Sequence, residues 1–279
     1  MALDFEFSPE QKMIEEIVLR WATSWLEPQM EELYEKDRMP PDLFRELGKI
    51  GVNGIVFEEK YGGAGLGYVE TLLVYETIAR VSNALSMSVG ASQTLCFDNF
   101  RRNATEKQKM EILPRACSGE YIGCLGITEP NAGSDAMGMS TRAVKKHDRY
   151  LINGSKAFIT NGTVADFMLF YAKTEPSRGS HGISAFYLLT DGMKGLHREK
   201  IKKWGMRSSP TALITFEDVE IPEENLIGGL NRGGAILTNG LCTERITLSG
   251  CCLGSQRACL ELSLKYARER VQFGKPISS

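Results

Sequence analysis

Residues 121–143 read YIGCLGITEPNAGSDAMGMSTRA, and the hydrophobic period changes across them. Upstream, apolar residues recur at helical spacing. Downstream come short β-branched and aromatic runs, DFMLFYAKT, ISAFYLLTD and ALITFEDVEI, separated by turns that contain glycine. The stretch therefore marks a junction between a helical region, residues 1–118, and a β region, residues 119–229. From near Arg232 the helical period returns, with Ile246, Leu253, Leu260, Leu264 and Ala267 in phase until FGKP breaks it.

Local chemistry sharpens the helical region. Ser8 reads as an N-cap, with Pro9 in the first turn and Gln11 closing a capping box. Ile14, Ile17, Val18, Trp21 and Trp25 then form one apolar stripe, which Pro28 ends or kinks. A second helix runs from Asp42 to Gly51 and a third from about Val69 to Val81, and Thr105 with Gln108 opens a fourth. Between the second and third, YGGAGLG misses the GxGxxG spacing of a dinucleotide loop and reads as a turn. In the β region, Asn153-Gly154 carries the signal of a type I′ hairpin turn, because both central positions of that turn need positive φ.

The expected fold class is α+β: an N-terminal helical bundle, a central antiparallel barrel or sandwich, and, over 230–279, the first helix of a C-terminal bundle. That last helix is apolar around much of its circumference and cannot bury itself, so the chain reads as C-terminally incomplete and its isolated form as poorly soluble.

Bulk composition narrows the function. With 279 residues, 42% hydrophobic and 24% charged, the chain has core material for about two domains. A net charge of -2, with only Lys200, Lys202 and Lys203 clustered, argues against a nucleic-acid groove. No apolar stretch reaches the roughly 20 residues of a membrane span, and MALDFEFSPEQ has neither a secretory nor a transit pattern, which predicts a soluble, cytoplasmic protein. Seven cysteines without a CxxC pair indicate reduced, mostly buried thiols. His147, His181 and His197 share no metal-ligand spacing.

Five ordered segments carry a family resemblance: the junction itself, KAFITNG at 156–162, WGMRSS at 204–209, FEDVEIPEENLIG at 216–228 and YARERVQFGKPI at 266–277. Together they resemble the acyl-CoA dehydrogenases over essentially the whole chain. The resemblance implies FAD as cofactor, an acyl-CoA substrate oxidised between Cα and Cβ, an electron-transfer flavoprotein as acceptor and a homodimer or homotetramer. It implies further that Leu125, Gly126, Ile127, Thr128, Gly133 and Ser134 line the isoalloxazine, with Thr128 on its pyrimidine edge and Ser134 also beside the thioester. Phe158, Ile159 and Thr160 belong to the same wall by resemblance, Phe158 and Thr160 on one face of a strand. Arg270, Gln272 and Phe273 match the segment that reaches the FAD of a partner subunit. Ser180 and Arg245 match substrate contacts, and Ser180-His181 a stretch that touches CoA.

Abstraction of an α-proton needs a carboxylate near Cα. In isovaleryl-type and long-chain-type members that residue stands on the first helix of the C-terminal domain, a position that falls here at Glu244 in LCTERITL. The alternatives are that Glu244 is a helix-surface acid or salt-bridge partner and that the base lies in a later segment. Three other activities stay open: an enoyl-CoA reductase running the reaction backwards, an oxidase, and a non-catalytic flavin- or CoA-binding fragment.

Overall fold

The computed structural model describes residues 6–279. Helix α1 (Pro9–Trp21) begins with the capping box read from the sequence, and Ser8 Oγ accepts from the Gln11 amide. It continues through a π-helical turn (Ala22–Leu26) into a 3-10 turn containing Pro28. Helices α2 (Met30–Glu35), α3 (Leu43–Lys49) and α4 (Tyr68–Val81) follow. Next come α5 (Asn83–Gly90), a π-helical segment (Ala91–Asp98) and α6 (Asn99–Asn103), one nearly continuous helical path that the sequence reading did not contain. Helix α7 (Glu106–Ser118) starts at Thr105, whose Oγ1 accepts from the Gln108 amide at 3.3 Å while Gln108 Oε1 accepts from the Thr105 amide at 2.8 Å. Thr105→Ala is expected to cost about 1 kcal/mol in chemical denaturation, and Thr105→Ser a few tenths, because serine keeps the capping oxygen.

The path from Asn83 to Asn103 lacks an apolar stripe because it is buried on nearly every side. Its small polar residues are satisfied by neighbours: Ser86 Oγ donates to Tyr75 O (2.7 Å), Ser92 Oγ accepts from the Gly123 amide (2.9 Å) and Asn99 Nδ2 donates to Tyr171 Oη (2.8 Å). Phe97 and Phe100 from the same path pack against Phe167, with ring centroids 5.2 and 5.1 Å away.

The β region contains β1 (Gly123–Gly126), β2 (Arg142–Lys146), β3 (Arg149–Thr160), β4 (Phe167–Lys173), β5 (Ile183–Leu189), β6 (Leu196–Lys200), β7 (Thr211–Pro222) and β8 (Leu226–Ile227). Among the described residues these form one mostly antiparallel sheet of order β6-β7-β3-β2-β4-β5-β8, with β1 parallel to β4. The sheet is not closed, so barrel or sandwich describes it only loosely, but it folds over on itself: Phe170 of β4 meets Phe216 of β7 and Tyr150 of β3 meets Phe186 of β5, each pair with ring centroids 5.0 Å apart. Both faces of β4 are nevertheless buried. Phe167, Leu169 and Tyr171 meet the helices, while Met168 and Phe170 pack with Tyr150, Phe186 and Phe216 on the other side.

The hairpin expected at Asn153-Gly154 is not there. β3 runs straight through this pair, and the turn into it is His147-Asp148, with His147 at φ 56°. Pairing of Ile152 with Val219 and of Gly154 with Phe216 leaves two β7 residues, Glu217 and Asp218, opposite Asn153 alone. This is a bulge. Asn153 clamps it, donating from Nδ2 to Asp218 Oδ1 (2.9 Å) and accepting from the Asp218 amide (3.0 Å). Gly154 sits at φ 144°, where an added Cβ would lie 2.7 Å from Thr141 Cα. The dipeptide's tolerance of unusual backbone angles is used inside a strand rather than at its end.

Helix α8 (Gly233–Glu269) spans 37 residues. One side packs on α4; the other exposes Ile246, Leu253, Leu260, Leu262, Leu264 and Tyr266. It ends in a small hairpin, β9 (Val271–Gln272) and β10 (Lys275–Pro276), turned by Phe273 and Gly274 at φ 51° and 78°. Among the described residues no helix is long and apolar enough to cross a membrane. All seven cysteines are free thiols, and Cys96, Cys117, Cys124 and Cys251 are buried.

Candidate active site

Where β1 ends, Ile127 and Thr128 run beside β3. The Ala157 amide donates to Thr128 O (2.8 Å), and Lys156 Nζ donates to Ile127 O (3.1 Å) and to Glu129 Oε1 (2.8 Å). Glu129 then closes a tight loop with Ala132 through two reciprocal backbone bonds, which leaves Gly133 and Ser134 on the surface. Its carboxylate also accepts from Ser140 N (2.6 Å), Ser140 Oγ (2.7 Å) and Thr141 N (3.0 Å). Both charges of this pair are buried, at 0% and 2% side-chain exposure. Burial by itself would raise the Glu129 carboxyl, but the Lys156 ammonium and the donors of Ser140 and Thr141 outweigh it and hold the pKa at about 2. Burial pulls the Lys156 ammonium down, and the attraction of Glu129 opposes this.

Neither member of the pair was singled out from sequence, although opposite charges stand inside two segments read as one wall. A buried partnership between residues 129 and 156 has no local periodicity to reveal it.

Phe158 occupies a second bulge, on β3 this time, where Lys156 pairs with Ile214 and Ile159 with Ala212. Its φ is 59° and the residue is 68% exposed. Ile159 turns into the core, as does Leu125, so these two can offer a ligand only their backbone. Thr160 is half-buried. Among the described residues, the hydroxyls of Thr128, Ser134 and Thr160 make no hydrogen bond to protein, and a Cβ at Gly133 would meet nothing within 4 Å. An exposed ring, unspent hydroxyls and open space suit a planar heteroaromatic ligand with hydrogen-bonding edges, and a flavin meets that description.

Helix α8 starts against the same loop. Gly234 lies where a Cβ would be 3.0 Å from Ser180 O and 3.8 Å from Met137 Sδ. Met137, Ser180, His181, Arg232, Thr238 and Asn239 help enclose a cavity of about 570 Å³. Glu244 stands farther along α8, half-buried. Burial raises its carboxyl pKa and the neighbouring Arg245 opposes this; Glu244 in turn helps raise Tyr75 and Cys251, which places it on the side facing α4. Arg245 is exposed.

Arg270, Gln272 and Phe273 are exposed at the far end of α8, 26 positions beyond Glu244, or about 39 Å along the axis at 1.5 Å per residue. The structure thus joins Leu125–Ser134 to Phe158–Thr160, while the C-terminal hairpin lies beyond the end of α8 remote from Glu244. Another cavity, of about 580 Å³, opens at the start of α7 beside Tyr187 and Glu224 and contains none of the predicted residues. Among the described residues no cluster of His, Cys, Asp and Glu could hold a metal ion.

Comparison with known proteins finds relatives over nearly the whole chain. Residues 8–120, 124–219 and 231–279 match the N-terminal, middle and C-terminal domains of acyl-CoA dehydrogenase, and the chain belongs to that family. Mitochondrial isovaleryl-CoA dehydrogenase from Solanum tuberosum is 39% identical over 274 residues, covering 97% of this chain and 66% of its own. Among solved structures, butyryl-CoA dehydrogenase from Megasphaera elsdenii superposes with a TM-score of 0.96 at 36% identity, covering 99% of this chain and 73% of that one. A chain from the work on the electron-transferring flavoprotein of Acidaminococcus fermentans gives 0.96 at 38%, with 99% and 73% covered. A Mycobacterium smegmatis glutaryl-CoA dehydrogenase in complex with FADH2 gives 0.91 at 30%, with 98% and 69% covered. The chain spans about two thirds of the length of the curated relatives it matches.

Proposed function

We propose that this chain carries the flavin wall and the base of an acyl-CoA dehydrogenase that forms the α,β double bond of a short or branched acyl-CoA. The observation that carries the reading is the meeting of Ile127–Thr128 with Lys156–Thr160, which leaves three hydroxyls and an exposed ring without protein partners. Bound there, FAD supplies the acceptor for the β-hydride. Thr128, Ser134 and Thr160 would hold the flavin through their unspent hydroxyls, and the exposed Phe158 would pack against its ring system. Glu244 removes the α-proton, and Arg245 with Ser180 and Ser134 orients the thioester. Glu244 suits the task because burial weakens the carboxyl as an acid and so makes its anion a stronger base. Arg270, Gln272 and Phe273 are exposed at the end of α8 remote from Glu244, which supports a homo-oligomer in which they meet a partner's FAD. An electron-transfer flavoprotein then takes the electrons, a role supported by the Acidaminococcus relative.

The test is direct. The protein should quench flavin fluorescence on titration with FAD, and anaerobic isovaleryl-CoA should bleach the bound flavin's visible band. Reoxidation of that flavin by the enoyl thioester in preference to an electron-transfer flavoprotein would reverse the direction, peroxide production in air would make the protein an oxidase, and absence of FAD binding would remove the reading.

A further inference from the structure

We propose that Lys156 and Glu129 are positioning residues that aim the Thr128 amide N–H at the acceptor edge of the flavin, an inference that rests on the flavin reading of this wall. A lysine at 0% exposure in the middle of a strand needs a reason, since desolvating two charges often costs more than their attraction returns. The pair's geometry gives one.

A single ammonium fastens three segments. Nζ holds Ile127 O at 3.1 Å and Glu129 Oε1 at 2.8 Å, and the carboxylate passes the restraint to Ser140 and Thr141 at the start of β2. The Ile127 carbonyl and the Thr128 amide belong to one peptide unit. In a trans peptide the C=O and N–H point in opposite directions, so pulling the oxygen toward Lys156 turns the N–H away from the buried pair. Among the described residues that N–H donates to no protein acceptor, and neither does Thr128 Oγ1. The next amide, Glu129 N–H, is already spent on Ala132 O at 3.0 Å. The result is a fixed donor pair, amide and hydroxyl of one residue, whose direction is set from behind by a charge that never touches the ligand. Positioned dipoles of this kind need no reorganisation when the ligand's charge changes.

Two variants test it. In Lys156→Met combined with Glu129→Leu, both charges go together and no buried ion is left unpaired; Glu129→Gln keeps the shape and weakens the hold on Lys156. For each, FAD affinity is measured by flavin fluorescence, the visible circular dichroism of bound flavin is recorded, and folding is checked by thermal denaturation. The double variant is expected to melt cooperatively yet bind FAD roughly tenfold more weakly, the scale of one aimed hydrogen bond, with an altered visible spectrum. Glu129→Gln should move both readouts in the same direction by less. Wild-type affinity and spectrum in either folded variant would overturn the positioning role while leaving the flavin reading intact. Failure of the wild-type protein itself to bind FAD would overturn the reading, and this inference with it.

Discussion

Glu244→Gln is expected to bind FAD like the wild type and to lose about 10² to 10⁴ in the rate at which acyl-CoA reduces the flavin, because the amide keeps the shape and cannot accept the α-proton. Anaerobic stopped-flow absorbance measures the step. An unchanged rate would leave Glu244 as a helix acid and place the base elsewhere. Burial moves the carboxyl above its ordinary range, so the acidic limb of the wild-type rate profile should lie at higher pH than a solvent-exposed glutamate would give, and the variant should lack that limb. The stability linkage has a definite sign. A carboxyl whose pKa is raised on folding favours its neutral form in the native state, so ionisation of Glu244 costs folding stability as pH climbs from the unfolded pKa through the raised folded one. Glu244→Gln should therefore be at least as stable as the wild type near neutral pH, which separates a catalytic loss from a structural one.

Gly254→Val is expected to cost about 3 kcal/mol or more in urea denaturation, the upper range for overpacking a close contact. A Cβ at Gly254 would stand 2.1 Å from Glu76 O and 2.7 Å from Ala79 Cβ, and one at Gly250, a turn earlier on the same face, 2.5 Å from Leu72 O. These contacts are to backbone oxygens and an alanine Cβ, which no rotamer change can relieve. Nor can α4 retreat, since Val74, Ile78 and Ala79 are packed in the core with Val18 and Leu26. Ion pairs flank the same groove: Arg257 with Glu15 (2.8 Å) and Glu76 (3.3 Å), and Arg80 with Glu261 (3.0 Å). They are partly exposed and contribute under about 1 kcal/mol each. Arg257→Ala should thus be mild where Gly254→Val is severe, and equal losses would mean that charge rather than close packing joins α8 to α4. Glu244 lies 10 positions before Gly254 on the same helix, so a displaced α8 should also lower the rate of flavin reduction.

Much of the site could be read without coordinates because its signals are local. The caps at Ser8 and Thr105 depend on residues three positions apart, and the sheet announces itself as short apolar and aromatic runs such as FMLFYA. The path from Asn83 to Asn103 escaped for the opposite reason. A helix surrounded by protein has no solvent side, and its Ser86, Ser92 and Asn99 look like loop residues until Tyr75, Gly123 and Tyr171 are brought to them. Asn153-Gly154 was misread because a dipeptide specifies permissive backbone angles, not whether the chain reverses there; Asp218, 65 residues away, decided that it would not.

The sequence by itself determined the order helices, sheet, helix, the family, and the two segments that meet at the candidate site, since composition, period and short patterns all act over a few residues. Tertiary structure alone decided that Lys156 would find Glu129, that Ile159 would turn inward while Phe158 stayed out, and that the sheet would remain open. Those outcomes turn on burial and on partners far apart in the chain, and the free energy of a buried charge or a close helix contact does not exist until both sides are present.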